Sequence, residues 1–240
     1  MIEEKITYRC QTCESTDLIK NGHSSSGKQQ YVCKSCGRRG LVNSTKARHS
    51  EAEKEQILHA YFERPSMRGI CRIFKVSRPT PAKWLKKKPS KPGLADTLLP
   101  AASHDVLEPD EVWSFVKRRP DKRWLWIALC RRTRQVVAYV IGDRSEKSCQ
   151  TLWEAIPESY KHLHSYSDFW TAYQKVFPKK THRSAGKASG QTNHVERWHN
   201  TLRQWLSRYT RKTLSFSKSD EYHAWVTPLF IRKYNLTLSL

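Results

Sequence analysis

Residues 111–142 read EVWSFVKRRPDKRWLWIALCRRTRQVVAYVIG, and this stretch decides the architecture of the C-terminal half. Three runs rich in aromatic and β-branched residues, 111–117, 123–131 and 135–142, are separated by short polar turns. Such a pattern is typical of consecutive antiparallel strands. The middle run is apolar at every position from Trp124 to Leu129, so we expect it to be buried on both faces at the centre of a covered sheet.

The segments that follow complete a defined order of elements. Residues 145–156 predict a helix, residues 162–167 a strand and residues 169–176 a second helix. Three strands, a helix, a strand and a helix is the order of the RNase H fold. We therefore expect an α/β RNase-H-like domain with a mixed five-stranded sheet and C-terminal helices over residues 105–240.

Three acidic residues fall where this architecture places carboxylates. Asp110 begins the first predicted strand, Asp168 ends the fourth, and Glu196 lies on a helix that begins near Thr192. Carboxylate oxygens suit hard cations, and three carboxylates can hold two Mg²⁺ or Mn²⁺ ions about 4 Å apart across a phosphodiester. We expect these residues to be catalytic metal ligands. Glu111 is the alternative to Asp110, although neighbours on a strand point to opposite faces.

The helix of Glu196 also carries a polar stripe. Asn200 and Arg203 follow Glu196 at i+4 and i+7 and share its face, so we expect both to contact nucleic acid. An adjoining apolar stripe should pack on the sheet. His194 and His199 are second-rank candidates for proton transfer, for holding water or for a phosphate contact.

The charge of the chain indicates a polyanionic partner. The 240 residues include 44 Lys and Arg against 22 Asp and Glu, a net charge of +22, which favours nucleic acid. The longest apolar run is far shorter than the roughly 18 residues of a membrane span, and the first ten residues lack the pattern of a secretory signal. We expect no membrane partner, and a cytoplasmic protein associated with the nucleoid through DNA.

Four cysteines form two pairs near the start of the chain. Cys10-x2-Cys13 and Cys33-x2-Cys36 are separated by 19 residues, a spacing typical of a four-thiolate zinc site. We expect a structural Zn²⁺ in a ribbon over residues 1–45, with a hairpin tip at residues 23–30. Four unrelated thiols or a redox pair are the alternatives. Three further cysteines lack partners at ligand spacing and are interpreted as packing residues: Cys71, Cys130 and Cys149.

Residues 46–90 predict three short helices with the pattern of a helix-turn-helix. The third helix, in GICRIFKVSRPTPAKWLKKK (69–88), would enter the major groove and start at Thr80 or Pro81 because proline suits only the first turn. The expected base contacts are Arg78, Thr80 and Lys83, and the expected phosphate contacts are Lys86, Lys87 and Lys88. A plain helical hairpin with a solvated basic face is the alternative. Residues 91–104 read as an interdomain linker.

Three blocks carry a resemblance to a known family: PDEVWSFV (109–116), SDFWTAY (167–173) and GKASGQTNHVERWHNTLRQWLSRYTRKTLSFSK (186–218). They resemble the transposases of the insertion sequence 1 family, and the resemblance covers essentially the whole chain. It implies a zinc finger, a helix-turn-helix and a DDE catalytic domain that bind terminal inverted repeats before cutting and joining double-stranded DNA. We also expect a homo-oligomer on the transposon ends and the target.

The resemblance places the acidic triad on Asp110, Asp168 and Glu196, with Arg203 as the basic residue seven places after the glutamate. Two positions depart from the family pattern. Trp205 stands where a basic residue is often found, and Pro81 interrupts the recognition segment. Two rival functions are a non-enzymatic DNA-binding regulator and a structure-selective nuclease on the same fold.

Overall fold

The computed structural model describes residues 7–25, 27–41, 49–88 and 93–238. Residues 1–6, 26 and 42–48, which include both ends of the predicted ribbon, and residues 89–92, where the predicted linker begins, lie outside the described residues. The chain forms two compact units, Met1–Ser50 and Glu51–Leu240.

The first unit is a small antiparallel sheet. Its three strands are β1 (Leu18–His23), β2 (Gln29–Cys33) and β3 (Arg39–Leu41), in the order β1-β2-β3. Among the described residues of this unit only Cys10 and Cys33 are buried. A segment with so little apolar core needs another source of stability, and a bound metal ion is the usual one.

The second unit begins with the three predicted helices. They are α1 (Glu51–Tyr61), α2 (Met67–Phe74) and α3 (Pro79–Lys87). The Ser66 side chain accepts from the amide of Gly69 and caps α2, as Ser does at many helix starts. The third helix begins at Pro79, slightly before the predicted Thr80 or Pro81, and both prolines lie in its first turn, where proline is tolerated.

A mixed five-stranded sheet forms the centre of the second unit. Its strands are β4 (Val106–Phe115), β5 (Lys122–Cys130), β6 (Val136–Gly142), β7 (His164–Ser167) and β8 (His182–Ser184). Their spatial order is β6-β5-β4-β7-β8. β4, β5 and β6 pair antiparallel, whereas β7 and β8 run parallel to β4. The predicted mixed sheet is therefore present.

The first strand of this sheet begins earlier than predicted. β4 starts at Val106, so Asp110 lies inside the strand and not at its start. Pro109 concealed this, because proline is rare within central strands. It is tolerated here since the pairing of β7 with β4 ends at Leu107, which leaves a neighbour on one side only.

Helices cover both faces of the sheet. α4 (Glu146–Ala155), α5 (Glu158–Lys161) and α6 (Thr171–Val176) pack on one face, and α7 (Asn193–Trp205) and α8 (Asp220–Thr237) pack on the other. Side chains of β5 alternate between the two cores, with Leu125 and Ile127 in one and Trp126 and Ala128 in the other. The prediction that this strand is buried on both faces is confirmed.

Within the second unit, the three N-terminal helices contact α7, α8 and the segment between them. The amide of Arg64 donates to the carbonyl of Trp205 at 2.8 Å, and the buried Arg208 guanidinium donates to the Tyr61 hydroxyl. Lys86 lies over the ring of Trp225 at 4.9 Å.

None of the helices in the described part of the chain combines the length and apolar character that a membrane span requires.

Candidate active site

Of the first two acidic positions, Asp110 lies on β4 and Asp168 directly follows β7, the neighbouring parallel strand. β4 and β7 pair with Val106 opposite His164 and Leu107 opposite Ser165. If this register is continued, Asp168, which directly follows β7, falls opposite Asp110. The fold therefore brings two residues that are distant in sequence to the same end of the sheet.

Three carboxylates converge at this end of the sheet. Asp110, Glu111 and Asp168 each place an oxygen within 4.8 Å of the others. Asp168 is exposed, the Asp110 side chain is 23% exposed and the Glu111 side chain only 3%. Carboxylate oxygens at this spacing, open to solvent on one side, form a donor set suited to hard divalent cations.

The expectation that Glu111 faces away from the site is wrong for its carboxylate. The side chain does lie on the α6 face, where Tyr173 donates to Oε2 at 2.7 Å and Arg144 Nε donates to Oε1 at 3.0 Å. One of its carboxylate oxygens nevertheless lies within 4.8 Å of oxygens of Asp110 and Asp168. The Glu111 carboxylate therefore joins the cluster from the opposite face.

Arg144 is a site residue that sequence reasoning missed. Its guanidinium lies over the rings of Trp124 and Trp170 at 4.8 and 4.7 Å, and its terminal nitrogen lies 2.8 Å from Glu111 Oε1. Two aromatic faces and one carboxylate hold this cation in a fixed orientation. The three partners come from separate segments, so spacing in the sequence gives no signal for it.

The electrostatics of Asp110 reflect its burial beside other acidic side chains. The pKa of Asp110 is raised to about 8, first by burial and then by the charges of Glu111, Asp168 and Glu196. Like charges near one site disfavour the ionised form, and a bound cation reverses that effect. The residues present therefore fit a divalent metal ion.

Glu196 approaches this cluster from α7. It lies in the first turn of the helix and is half-buried. It is outside the group of three carboxylates within 4.8 Å of one another, but its charge contributes to the raised pKa of Asp110. Glu196, the third predicted ligand, therefore lies near the three carboxylates but does not belong to the group within 4.8 Å of one another.

Two polar residues of the same helix also lie near Asp110. His199 is buried, and its Nδ1 is 3.4 Å from Asp110 Oδ2. The pKa of Arg203 is lowered by burial and by Arg211, and the charge of Asp110 opposes this shift. Asn200 is exposed. The predicted polar stripe is present, with Arg203 half-buried beside the carboxylates.

Glu108 is a second residue that sequence reasoning missed. Its side chain is fully buried, and Arg131 Nε donates to Oε1 at 2.8 Å. Burial raises the pKa of Glu108, and the hydrogen bonds from Arg131 and the Val195 amide partly offset that rise. A signal existed, since Glu108 and Asp110 are two residues apart and share a face of a strand, but the strand was predicted to begin too late.

The four cysteines of the first unit form a second ligand cluster. All four sulfurs lie within 4.8 Å of one another, with Cys10 to Cys36 at 3.6 Å and Cys13 to Cys33 at 3.5 Å. Without a metal ion the thiols share protons, since backbone hydrogen bonds lower the pKa of Cys10 to about 6 and hydrogen bonds from Cys36 and Cys33 raise the pKa of Cys13 to about 12. The support for a metal site is therefore the spacing of the four sulfurs. The cluster fits zinc binding.

The predicted DNA-contacting residues of α3 differ in their surroundings. Arg78, Lys83 and Lys87 are exposed. The Thr80 hydroxyl bonds to that of Ser77 at 2.8 Å. Lys86 lies over Trp225, and Lys88 forms an ion pair with Glu55. Lys86 and Lys88 are thus engaged in contacts within the protein.

Comparison with known proteins identifies relatives of the part of the chain that contains the five-stranded sheet. The sequence model of a family described as IS1 transposase matches residues 106–237, more than half of the chain. The Insertion element iso-IS1n protein InsB of Shigella dysenteriae is 37% identical over 129 residues, which cover 54% of this chain and 95% of that protein. The Insertion element IS1 protein InsB of Shigella flexneri is 35% identical over 116 residues, 48% of this chain and 86% of that protein. The Insertion element IS1 4 protein InsB of Escherichia coli (strain K12) is 34% identical over 116 residues, 48% and 67% respectively.

Proposed function

The chain belongs to the IS1 transposase family, and from this premise we propose that it binds the terminal inverted repeats of an insertion sequence and catalyses metal-dependent DNA cleavage and strand transfer. The observation that carries the proposal is the convergence of Asp110 and Asp168 from β4 and β7, with Glu196 approaching from α7. The matched region contains all three residues.

Asp110, Asp168 and Glu196 would hold Mg²⁺ or Mn²⁺ and act as the catalytic triad. Bound there, divalent ions would supply charge stabilisation to the attacking and leaving oxygens of a phosphodiester. Glu111, tied to Tyr173 and Arg144, adds negative charge at the edge of the site. Asp168 is the exposed member and lies where substrate can approach.

Double-stranded DNA, both transposon ends and target, is the proposed partner. The net charge of +22 favours a polyanion. On α7, Asn200 presents an exposed side chain and Arg203 a cation beside the carboxylates, so both would orient a phosphate backbone close to the site. A homo-oligomer assembled on the two ends is part of the proposal.

End recognition is assigned to the N-terminal helices and the cysteine cluster. The three helices would act as a helix-turn-helix in which Arg78, Thr80 and Lys83 contact bases. Lys86, Lys87 and Lys88 would contact phosphate, with Lys87 the most available because the other two already have partners in the protein. A structural Zn²⁺ held by the four cysteines would order the first unit.

The test uses the full chain and duplexes that end in the inverted repeat of its own element. With Mg²⁺ we expect cleavage at the repeat and covalent joining to a second duplex, and neither product in chelator. Asp168→Asn should abolish both products while end binding persists. Asp121→Asn is the matched control, because Asp121 pairs with Arg118 on an exposed turn away from the site.

Two other outcomes would replace the proposal. End binding without cleavage in any divalent metal would indicate a DNA-binding regulator. Cleavage without preference for the repeat and without joining would indicate a nuclease.

A further inference from the structure

Glu108 connects the strand of Asp110 to the helix of Glu196. Its Oε2 accepts hydrogen bonds from the backbone amides of His194 and Val195, both at 3.0 Å. Its Oε1 accepts from Arg131 Nε at 2.8 Å and lies 2.7 Å from His194 Nδ1. The two amides belong to the first turn of α7, where N–H groups have no partner within the helix.

The first turn of α7 has no cap from its own sequence. Thr192 occupies the N-cap position but makes no side-chain hydrogen bond there. A buried carboxylate from β4 therefore takes over the role of the cap and faces the positive end of the helix. Arg131 extends this contact, since its terminal nitrogen donates to the carbonyl and side-chain oxygens of Gln191 at 2.8 and 2.9 Å.

The position of this contact relates it to the metal ligands. Asp110 lies two residues after Glu108 on the same strand face, and Glu196 directly follows Val195. The Glu108 carboxylate thus links β4 to α7 at points within two residues of Asp110 and of Glu196. Glu196 is also the predicted ligand that stands outside the tight group of three carboxylates, so its distance to the cluster depends on where the start of α7 is held.

We propose that Glu108 is a positioning residue, which fixes the start of α7 against β4 so that Glu196 can complete the metal site with Asp110 and Asp168. This inference rests on the proposed function, because it assigns the role of Glu108 through those ligands. Residues that orient metal ligands from behind commonly change metal affinity by about tenfold to a hundredfold when they are replaced.

A general stabilising role is the alternative, and the chain offers a matched control for it. Asp105 precedes β4, its side chain is also fully buried, and it forms an ion pair with Arg132, the residue after Arg131. It accepts from the amide of Ala102 instead of from α7. Asp105→Asn therefore removes an equivalent buried charge without touching the helix of Glu196.

The experiment compares full-length Glu108→Gln and Asp105→Asn with the wild-type chain. Mn²⁺ binding is titrated by the electron paramagnetic resonance signal of the free ion, and amide hydrogen exchange is followed in peptides that cover residues 190–200. We expect Glu108→Gln to raise the Mn²⁺ midpoint about tenfold or more and to speed exchange at the start of α7. Asp105→Asn should change neither. Excess Mn²⁺ should restore cleavage by Glu108→Gln.

Equal Mn²⁺ midpoints for Glu108→Gln and an active wild-type chain would overturn this inference and leave the proposed function intact. A wild-type chain that neither binds Mn²⁺ nor cuts DNA would overturn both. If Glu108→Gln does not fold, His194→Ala decides the question, because it removes one contact to Glu108 from a side chain that is 28% exposed. It should shift the midpoint in the same direction by a smaller factor, and an unchanged midpoint would refute the proposal.

Discussion

His199 Nδ1 lies 3.4 Å from Asp110 Oδ2, on a helix that packs against the strand of Asp110. Burial, and then the charge of Arg203, lower the pKa of His199 to about 3, so the ring is neutral at physiological pH. Among the described residues, its Nε2 has no hydrogen-bond partner. The histidine next to Asp110 therefore supplies no positive charge to that carboxylate, which is consistent with the divalent cation proposed for this site.

The first prediction separates Asp110 from its neighbour Glu111. Asp110→Asn should reduce cleavage and joining at least the roughly hundredfold typical of a lost transition-state contact, because it removes a ligand. Glu111→Gln should have a smaller effect, since both Glu111 oxygens are already bonded to Tyr173 and Arg144. Rates of cleavage at saturating Mg²⁺ measure both. A dead Glu111→Gln beside an active Asp110→Asn would exchange their roles.

The second prediction concerns the cysteine cluster. Purified protein should carry about one zinc per chain, because four thiolates complete one tetrahedral site. Cys33→Ser should lose that zinc and weaken DNA binding while the second unit stays folded, since the cluster lies wholly in the first unit. Cys71→Ser is the control and should keep its zinc. Elemental analysis that finds no zinc in folded wild-type protein would refute the assignment.

The third prediction distinguishes base contacts from phosphate contacts on α3. Arg78→Ala should flatten the preference among end sequences, whereas Lys87→Ala should weaken binding to all sequences alike and lower the salt slope by about one. Both residues are exposed. Binding is measured over a range of salt concentrations with the full chain. The N-terminal helices alone would lose the contacts of Tyr61 with Arg208 and of Arg64 with Trp205. Identical effects of the two substitutions would contradict the placement of α3 in the groove.

The fourth prediction is a pH dependence of stability from His223. Burial, and then Arg208, lower its pKa to about 3, while Ser217 and Tyr209 bond to the two ring nitrogens at 2.9 and 3.2 Å. The unfolded chain binds a proton near pH 6.5 and the folded chain does not until about pH 3. The free energy of unfolding therefore falls as pH falls through this window, by at most about 1.4 kcal/mol per pH unit for one such group.

His223→Gln removes this titration and should give a shallower fall in stability between pH 7 and pH 5, even if it is less stable at pH 7. Denaturant unfolding at several pH values measures the slopes. Parallel slopes for the variant and the wild type would show that His223 does not stay neutral.

The sequence predicted the sheet well where its patterns are local. The continuous apolar run 124–129 implies burial on two faces, and β5 is buried on both. The start of β4 was missed because a single proline breaks a strand pattern, although the ladder beside Pro109 has already ended. That error of a few residues also concealed Glu108, which belongs to the strand and not to the loop before it.

The remaining differences depend on tertiary contacts that no spacing reveals. The carboxylate of Glu111 lies close to Asp168 although its side chain leaves β4 on the face opposite to Asp110, and Arg144 is held by tryptophans from two distant segments. Alternation along a strand predicts which face a side chain leaves from, but not where the tip of a long side chain ends.

The three N-terminal helices pack against the C-terminal helices through Tyr61 and Arg208 and through Lys86 and Trp225. This packing would set the distance between the recognised DNA sequence and the bond that is cut. Under the proposed function, the helix that recognises the end and the carboxylates of the cleavage site belong to the same compact unit, so the spacing between them is fixed. DNA turns by about a tenth of a revolution per base pair. One base pair added between the recognised sequence and the scissile bond would therefore carry that bond around the helix axis, away from Asp110 and Asp168.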